Sequence, residues 1–104
     1  MKTLINTDHT IDGHEALAHH AETVVESTLG HLSEHLTRVE VHLSDENGEK
    51  GGGHDKRCVM EARLERHQPV GVTHEAETLH QAIEGAAHKL KHALDHILGR
   101  LHDQ

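Results

Sequence analysis

None of the 104 positions is phenylalanine, tyrosine or tryptophan. A core must then be assembled from Leu, Ile, Val, Ala and Met, and such side chains bury less area than rings do, so modest stability is expected. The same absence excludes a reader of single-stranded nucleic acid that stacks bases on aromatic platforms. Cysteine is nearly missing too. Cys58 stands alone, so no internal disulfide forms, and an unpaired thiol points to a reducing compartment, the cytoplasm. Long apolar runs are lacking. Met1 to Ile5 begin with a lysine and an apolar pair, but Asn6-Thr7-Asp8 end that run far short of a secretory signal. No stretch of about 18 apolar residues is available to span a membrane.

Positive charge is scarce. Ten Lys and Arg stand against eighteen Asp and Glu, a formal −8 with histidine neutral, which opposes unaided phosphate binding. Histidine, by contrast, occurs 15 times. An imidazole of ordinary pKa, about 6.5, is roughly a quarter charged at pH 7 and mostly charged one unit lower. The sign of the surface is therefore expected to depend on pH.

The length is that of one domain, taken here as residues 1–104. Its longest regular stretch is Thr78 to Leu101. Leu79, Ile83, Ala86, Leu90, Leu94, Ile97 and Leu101 recur in steps of three and four, and Glu84, His88, His92, Asp95 and His96 fall opposite. This is a one-sided helix that needs an apolar floor. Thr78 with Gln81 three residues on marks its start as a capping box. An earlier helix is expected over Gly13 to Leu36, started by Asp12 with Glu15 and a staple from Ile11. Its buried side is read as Leu17, Ala21, Val24, Thr28, Leu32 and Leu36, with Gly30 as a weak point open to a kink or an early end.

Between the helices the period falls to two. Val39, Val41 and Leu43 alternate with Arg38, Glu40 and His42; Cys58, Met60, Ala62 and Leu64 alternate with Arg57, Val59, Glu61 and Arg63; Val70 and Val72 follow Pro69. These are half-buried strands, and Lys2 to Asn6 reads as another. The order βαβββα gives an α+β fold: a four-stranded, mainly antiparallel sheet with two helices packed on one face, because each strand has one apolar side and each helix one apolar stripe.

Chemistry-bearing patterns are few. Residues 45–55 begin like a calcium loop, but Lys50 holds the position that requires Gly and Lys56 the one that requires a bidentate Glu, so a hairpin connection is expected. His88, His92 and His96 lie four apart, as do His31 and His35. That spacing stacks imidazoles as a helix offers nitrogen ligands to zinc, nickel or copper, and it serves equally as a solvated polar face. Cys58 alternates with core residues, as an inert buried thiol does. No catalytic constellation is visible, and neither an enzyme activity, a cofactor nor a small-molecule substrate is expected.

Gln81-Ala82-Ile83-Glu84-Gly85-Ala86-Ala87-His88-Lys89-Leu90, together with Leu36-Thr37-Arg38-Val39-Glu40-Val41 and the order βαβββα, resembles the ribosome hibernation promoting factors and ribosome-associated inhibitors, also called sigma-54 modulation proteins. The resemblance implies a domain like the double-stranded RNA-binding fold, of the short type and monomeric, that occupies the decoding region of the small ribosomal subunit and represses translation under stress. It implies RNA contacts by Lys89, Lys91, Arg100 and Arg38. It also implies lysine where this chain has His96 and Leu98, and an aromatic where it has His80. A second reading from the residues themselves is a divergent, His-rich module of the same fold that binds metal ions or a protein partner.

Overall fold

Seven elements follow one another in the computed structural model: β1 (Lys2–Thr7), α1 (His14–Leu29), a 3₁₀ segment (Gly30–His35), β2 (Leu36–Asp45), β3 (Lys56–Leu64), β4 (Val70–Ala76) and α2 (Leu79–His102). The structure describes residues 1–8, 14–45 and 55–102, side chains excepted at 14 and 100–102. The expected start signals Ile11 and Asp12 and most of the 45–55 connection lie outside the described residues.

The sheet runs β1-β2-β3-β4, with β1 parallel to β2 and the other neighbours antiparallel. A parallel pair needs a long crossover, and α1 with the 3₁₀ segment supplies it. The α+β expectation, with two helices on one face of a four-stranded sheet, describes the molecule. In register, Thr3, Ile5 and Thr7 stand beside Val39, Val41 and Leu43, which stand beside Ala62, Met60 and Cys58. These rows form the floor under the helices. Val39, Val41, Cys58, Met60 and Ala62 are fully buried in it. One irregularity matters: the pairing shifts between Leu36 and Arg38. This bulge reverses the side-chain parity, so Leu36 and Leu64 are both buried while Thr37 is exposed and its hydroxyl donates to the Arg63 carbonyl at 3.1 Å.

The first helix departs from its expected course. Its α-helical part stops at Leu29, Gly30 opens a 3₁₀ turn, and Leu36 belongs to β2. Gly is a poor helix former, and the tighter 3₁₀ turn still delivers Leu32 and Leu36 to the core. Val25 and Leu29 are buried where Val24 and Thr28 were expected; those two are half-buried. The strict step of four from Leu17 through Ala21 to Val25 and Leu29 is the stripe that packing selects.

In α2 the cap is in place: Thr78 Oγ1 accepts from the Gln81 amide at 3.1 Å, and the Thr78 carbonyl from the Ala82 amide at 3.0 Å. The helix packs on β3, β4 and α1 together. Its buried arc is therefore wider than a single stripe and takes in Ala82, Ala87 and Leu98, while Ile97 is half-buried. Opposite Gly85, the imidazole of His74 from β4 fills the space that a β-carbon would need. Among the described residues no helix is long and apolar enough to cross a membrane.

Candidate nucleic-acid interface

Residues two apart on a helix point in different directions, and Lys89 and Lys91 do so. Lys89 is exposed and its ammonium donates to the Thr73 carbonyl of β4 at 2.9 Å. Lys91 leans the other way and donates to Asp95 Oδ2 at 3.0 Å. Asp95 also lies 3.5 Å from His31 Nε2 on the 3₁₀ segment. The Lys91 hydrogen bond above all, with a smaller share from His31, holds the Asp95 carboxyl below its ordinary value against some desolvation. Arg100 lies within α2 by its backbone, and its side chain is outside the description.

Arg38 is elsewhere. It projects from the open face of the sheet, where register places it between Lys2 of β1 and Arg63 of β3. With strands about 4.8 Å apart, three cations lie in one row. The next row holds Glu40 and Glu61. Arg38 reaches Glu40 at 3.0 Å, and Arg63 reaches Glu40 at 3.2 Å and Glu61 at 3.3 Å. The sheet thus separates Arg38 from the α2 lysines, and the four sequence-derived contacts do not form one patch. Lys2 and Arg63 share this row but were not among the candidates drawn from the sequence. Period-two alternation puts Arg63 on the open face, but only the register across the Thr37 bulge lines it up with Arg38.

The histidines are also sorted by structure. The rings of His88 and His92 meet edge to face, centroids 5.3 Å apart, and His96 is exposed one turn on. Among the described residues no group of three or more His, Cys, Asp or Glu is arranged to hold a metal ion. His31 and His35 do not stack, because with three residues per 3₁₀ turn a step of four no longer superposes side chains. His31 turns to Asp95, and His35 lies 3.6 Å from Glu34. Between the helices the His20 ring stacks on His80, centroids 4.2 Å apart, and its Nε2 lies 3.7 Å from Glu84. Cys58 is fully buried, and desolvation pushes its thiol up to about 12. It is thus no nucleophile at neutral pH.

Solved structures share this architecture. A ribosomal subunit interface protein from Coxiella burnetii superposes with a TM-score of 0.70 at 14% identity, covering 95% of this chain and 99% of that one. The N-terminal domain of Protein Y from Thermus thermophilus gives 0.67 at 19% identity, over 93% and 99%. At such identities the likeness establishes the fold. Compared with curated proteins, the sequence shows no significant match. Residues 4–102, nearly the whole chain, match the family described as sigma 54 modulation protein / S30EA ribosomal protein. On that match, joined to the βαβββα fold, the chain belongs to the sigma 54 modulation protein / S30EA ribosomal protein family.

Proposed function

We propose that this protein is a hibernation-type factor of the cytoplasm that binds the small ribosomal subunit through its RNA and represses translation. The family match over residues 4–102 carries the reading, and the fold shared with a ribosomal subunit interface protein supports it. The domain acts as a monomer without a cofactor. Lys89, Lys91 and Arg100 contact RNA from α2, and Arg38 contacts it from the sheet together with Lys2 and Arg63. Cations of this kind neutralise phosphates and make affinity fall with salt. A helix face and a sheet face on opposite sides imply RNA on both flanks of the domain, as in a cleft.

The test is co-sedimentation with purified small subunits through a sucrose gradient. Lys89→Glu combined with Lys91→Glu should weaken association about tenfold or more, since each swap replaces an attraction to phosphate with a repulsion. The competing reading, a His-rich metal module, would rest on His88, His92 and His96. Zinc binding tighter than about micromolar by calorimetry, abolished when all three become Ala, together with absence from every ribosomal fraction, would replace the RNA reading by this one.

A further inference from the structure

The two outer faces of the molecule carry different kinds of charge. On the open sheet face the fixed charges are Lys2, Arg38, Arg57 and Arg63 against Glu40, Glu61 and Glu75, a formal +1, and His42 is the single histidine of those rows. The helix layer differs. Among its described side chains, six carboxylates (Glu15, Glu22, Glu26, Glu34, Glu84 and Asp95) face two cations, Lys89 and Lys91, a formal −4. Eight histidines with described side chains share that layer. His19 and His20 lie on α1, His31 and His35 on the 3₁₀ segment, and His80, His88, His92 and His96 on α2; six of the eight are exposed and two half-buried. Adding eight protons to −4 gives +4.

We propose that the helix layer is an acid-gated RNA-binding surface, repelling phosphate while its histidines are neutral and attracting it once they are protonated. This deepens the ribosome reading above and rests on it. Surroundings of the histidines favour the reversal. His20 faces Glu84 and the His80 ring, His31 faces Asp95, and His35 faces Glu34, so a proton on any of these three cancels a carboxylate that would otherwise repel RNA. Along α1, His19 is one turn from Glu15 and Glu22, and along α2, His96 is one turn from His92. His88 and His92 face each other. Two imidazoliums at that distance repel, and a phosphate that accepts from an N–H of each ring offsets the repulsion with two charge-assisted hydrogen bonds. Beneath α2, β3 and β4 contribute Cys58, Met60 and Ala62 and the His74 ring set against Gly85. The charged end of the sheet, Asp45, Asp55 and Lys56, is internally paired.

Linkage fixes the direction. A bound phosphate stabilises the protonated imidazole, so binding takes up protons and strengthens below the free-state pKa; each proton taken up changes affinity by up to about tenfold per pH unit. Each neutralised phosphate also steepens the salt dependence.

The experiment measures affinity at about pH 7.5 and about pH 6.0, at fixed ionic strength, for two probes: purified small subunits and an RNA duplex of about 16 base pairs, the span of a double-stranded RNA-binding domain. Binding about tenfold or more tighter at the lower pH, with a steeper salt slope, is expected. Replacing His88, His92 and His96 together by Gln should shrink the pH ratio to about threefold or less, and replacing them by Lys should give tight binding at both pH values. Equal constants and slopes at the two pH values, or a ratio unmoved by the Gln replacements, overturns the gate and leaves subunit binding standing. Acid-favoured duplex binding without subunit binding keeps the gate and removes the ribosome reading. No binding to either probe overturns both.

Discussion

At Gly85 two residue-scale effects compete. Ala in place of Gly within a helix ordinarily gains about 1 kcal/mol, yet the new methyl would run into the His74 ring, including Cγ near its root. A side chain hit near its root cannot yield by moving its tip, and forced overpacking costs about 1–3 kcal/mol. Gly85→Ala is therefore expected to destabilise in urea titration, and the same change in a His74→Ala background to stabilise. A gain in both backgrounds would show that the ring gives way freely. Cys58 offers a second check. With its thiol pushed up to about 12 by burial, a thiol-reactive disulfide reagent near pH 8 should modify it only after denaturation, and native labelling at the rate of a free thiol would refute the packing described. Period two in the sequence already placed Cys58 inward. It did not single out His74, because an imidazole at an inward position of an edge strand reads as polar until the glycine that makes room for it is found on another element.

At the scale of elements, the β2–β3 pair ends in a polar clasp. Lys56 Nζ lies 3.2 Å from Asp45 and 3.0 Å from Asp55, which is buried. The Lys56 hydrogen bond, outweighing desolvation, holds the Asp55 carboxyl below its ordinary value, and the Asp55 carboxylate is the main cause of a raised Lys56 value. A depressed acid stabilises the fold above its unfolded pKa, near 3.9, and loses that contribution as pH falls through the lower folded value. A raised base contributes below its unfolded pKa, near 10.4, and loses the contribution as pH rises through the higher folded value. The clasp thus acts across the neutral range. Lys56→Met leaves two carboxylates facing one another, which favours proton uptake. Its urea midpoint should lie below that of the parent at pH 7, with the gap narrowing toward pH 4; a constant gap across that range would mean that the lysine acts through packing alone. The strands and α2 were legible because their periods are unambiguous. The end of α1 was legible only as a weak point at Gly30, since the steps from Leu29 to Leu32 to Leu36 suit an α-helix and a 3₁₀ turn leading into a bulged strand equally well.

For the whole molecule, the layering followed from a burial problem with one compact answer: two one-sided helices and four one-sided strands close only as helices on a single sheet face. The interface could not be solved that way. Basic residues in a sequence carry no record of which face they share, and the register that gathers Lys2, Arg38 and Arg63 on the sheet also separates them from Lys89 and Lys91. The same partition leaves the helix layer acidic and histidine-rich. Family membership is expressed here in a protein with few fixed cations, so association with the ribosome itself is the property to measure. Sucrose-gradient sedimentation of the protein with purified small subunits, at about pH 6.0 and about pH 7.5 and low salt, tests it most directly. The protein should travel in the small-subunit fraction, more fully at the lower pH, and Lys89→Glu with Lys91→Glu should shift it toward the top of the gradient. Retention of the unmodified protein at the top of the gradient at both pH values would contradict the account.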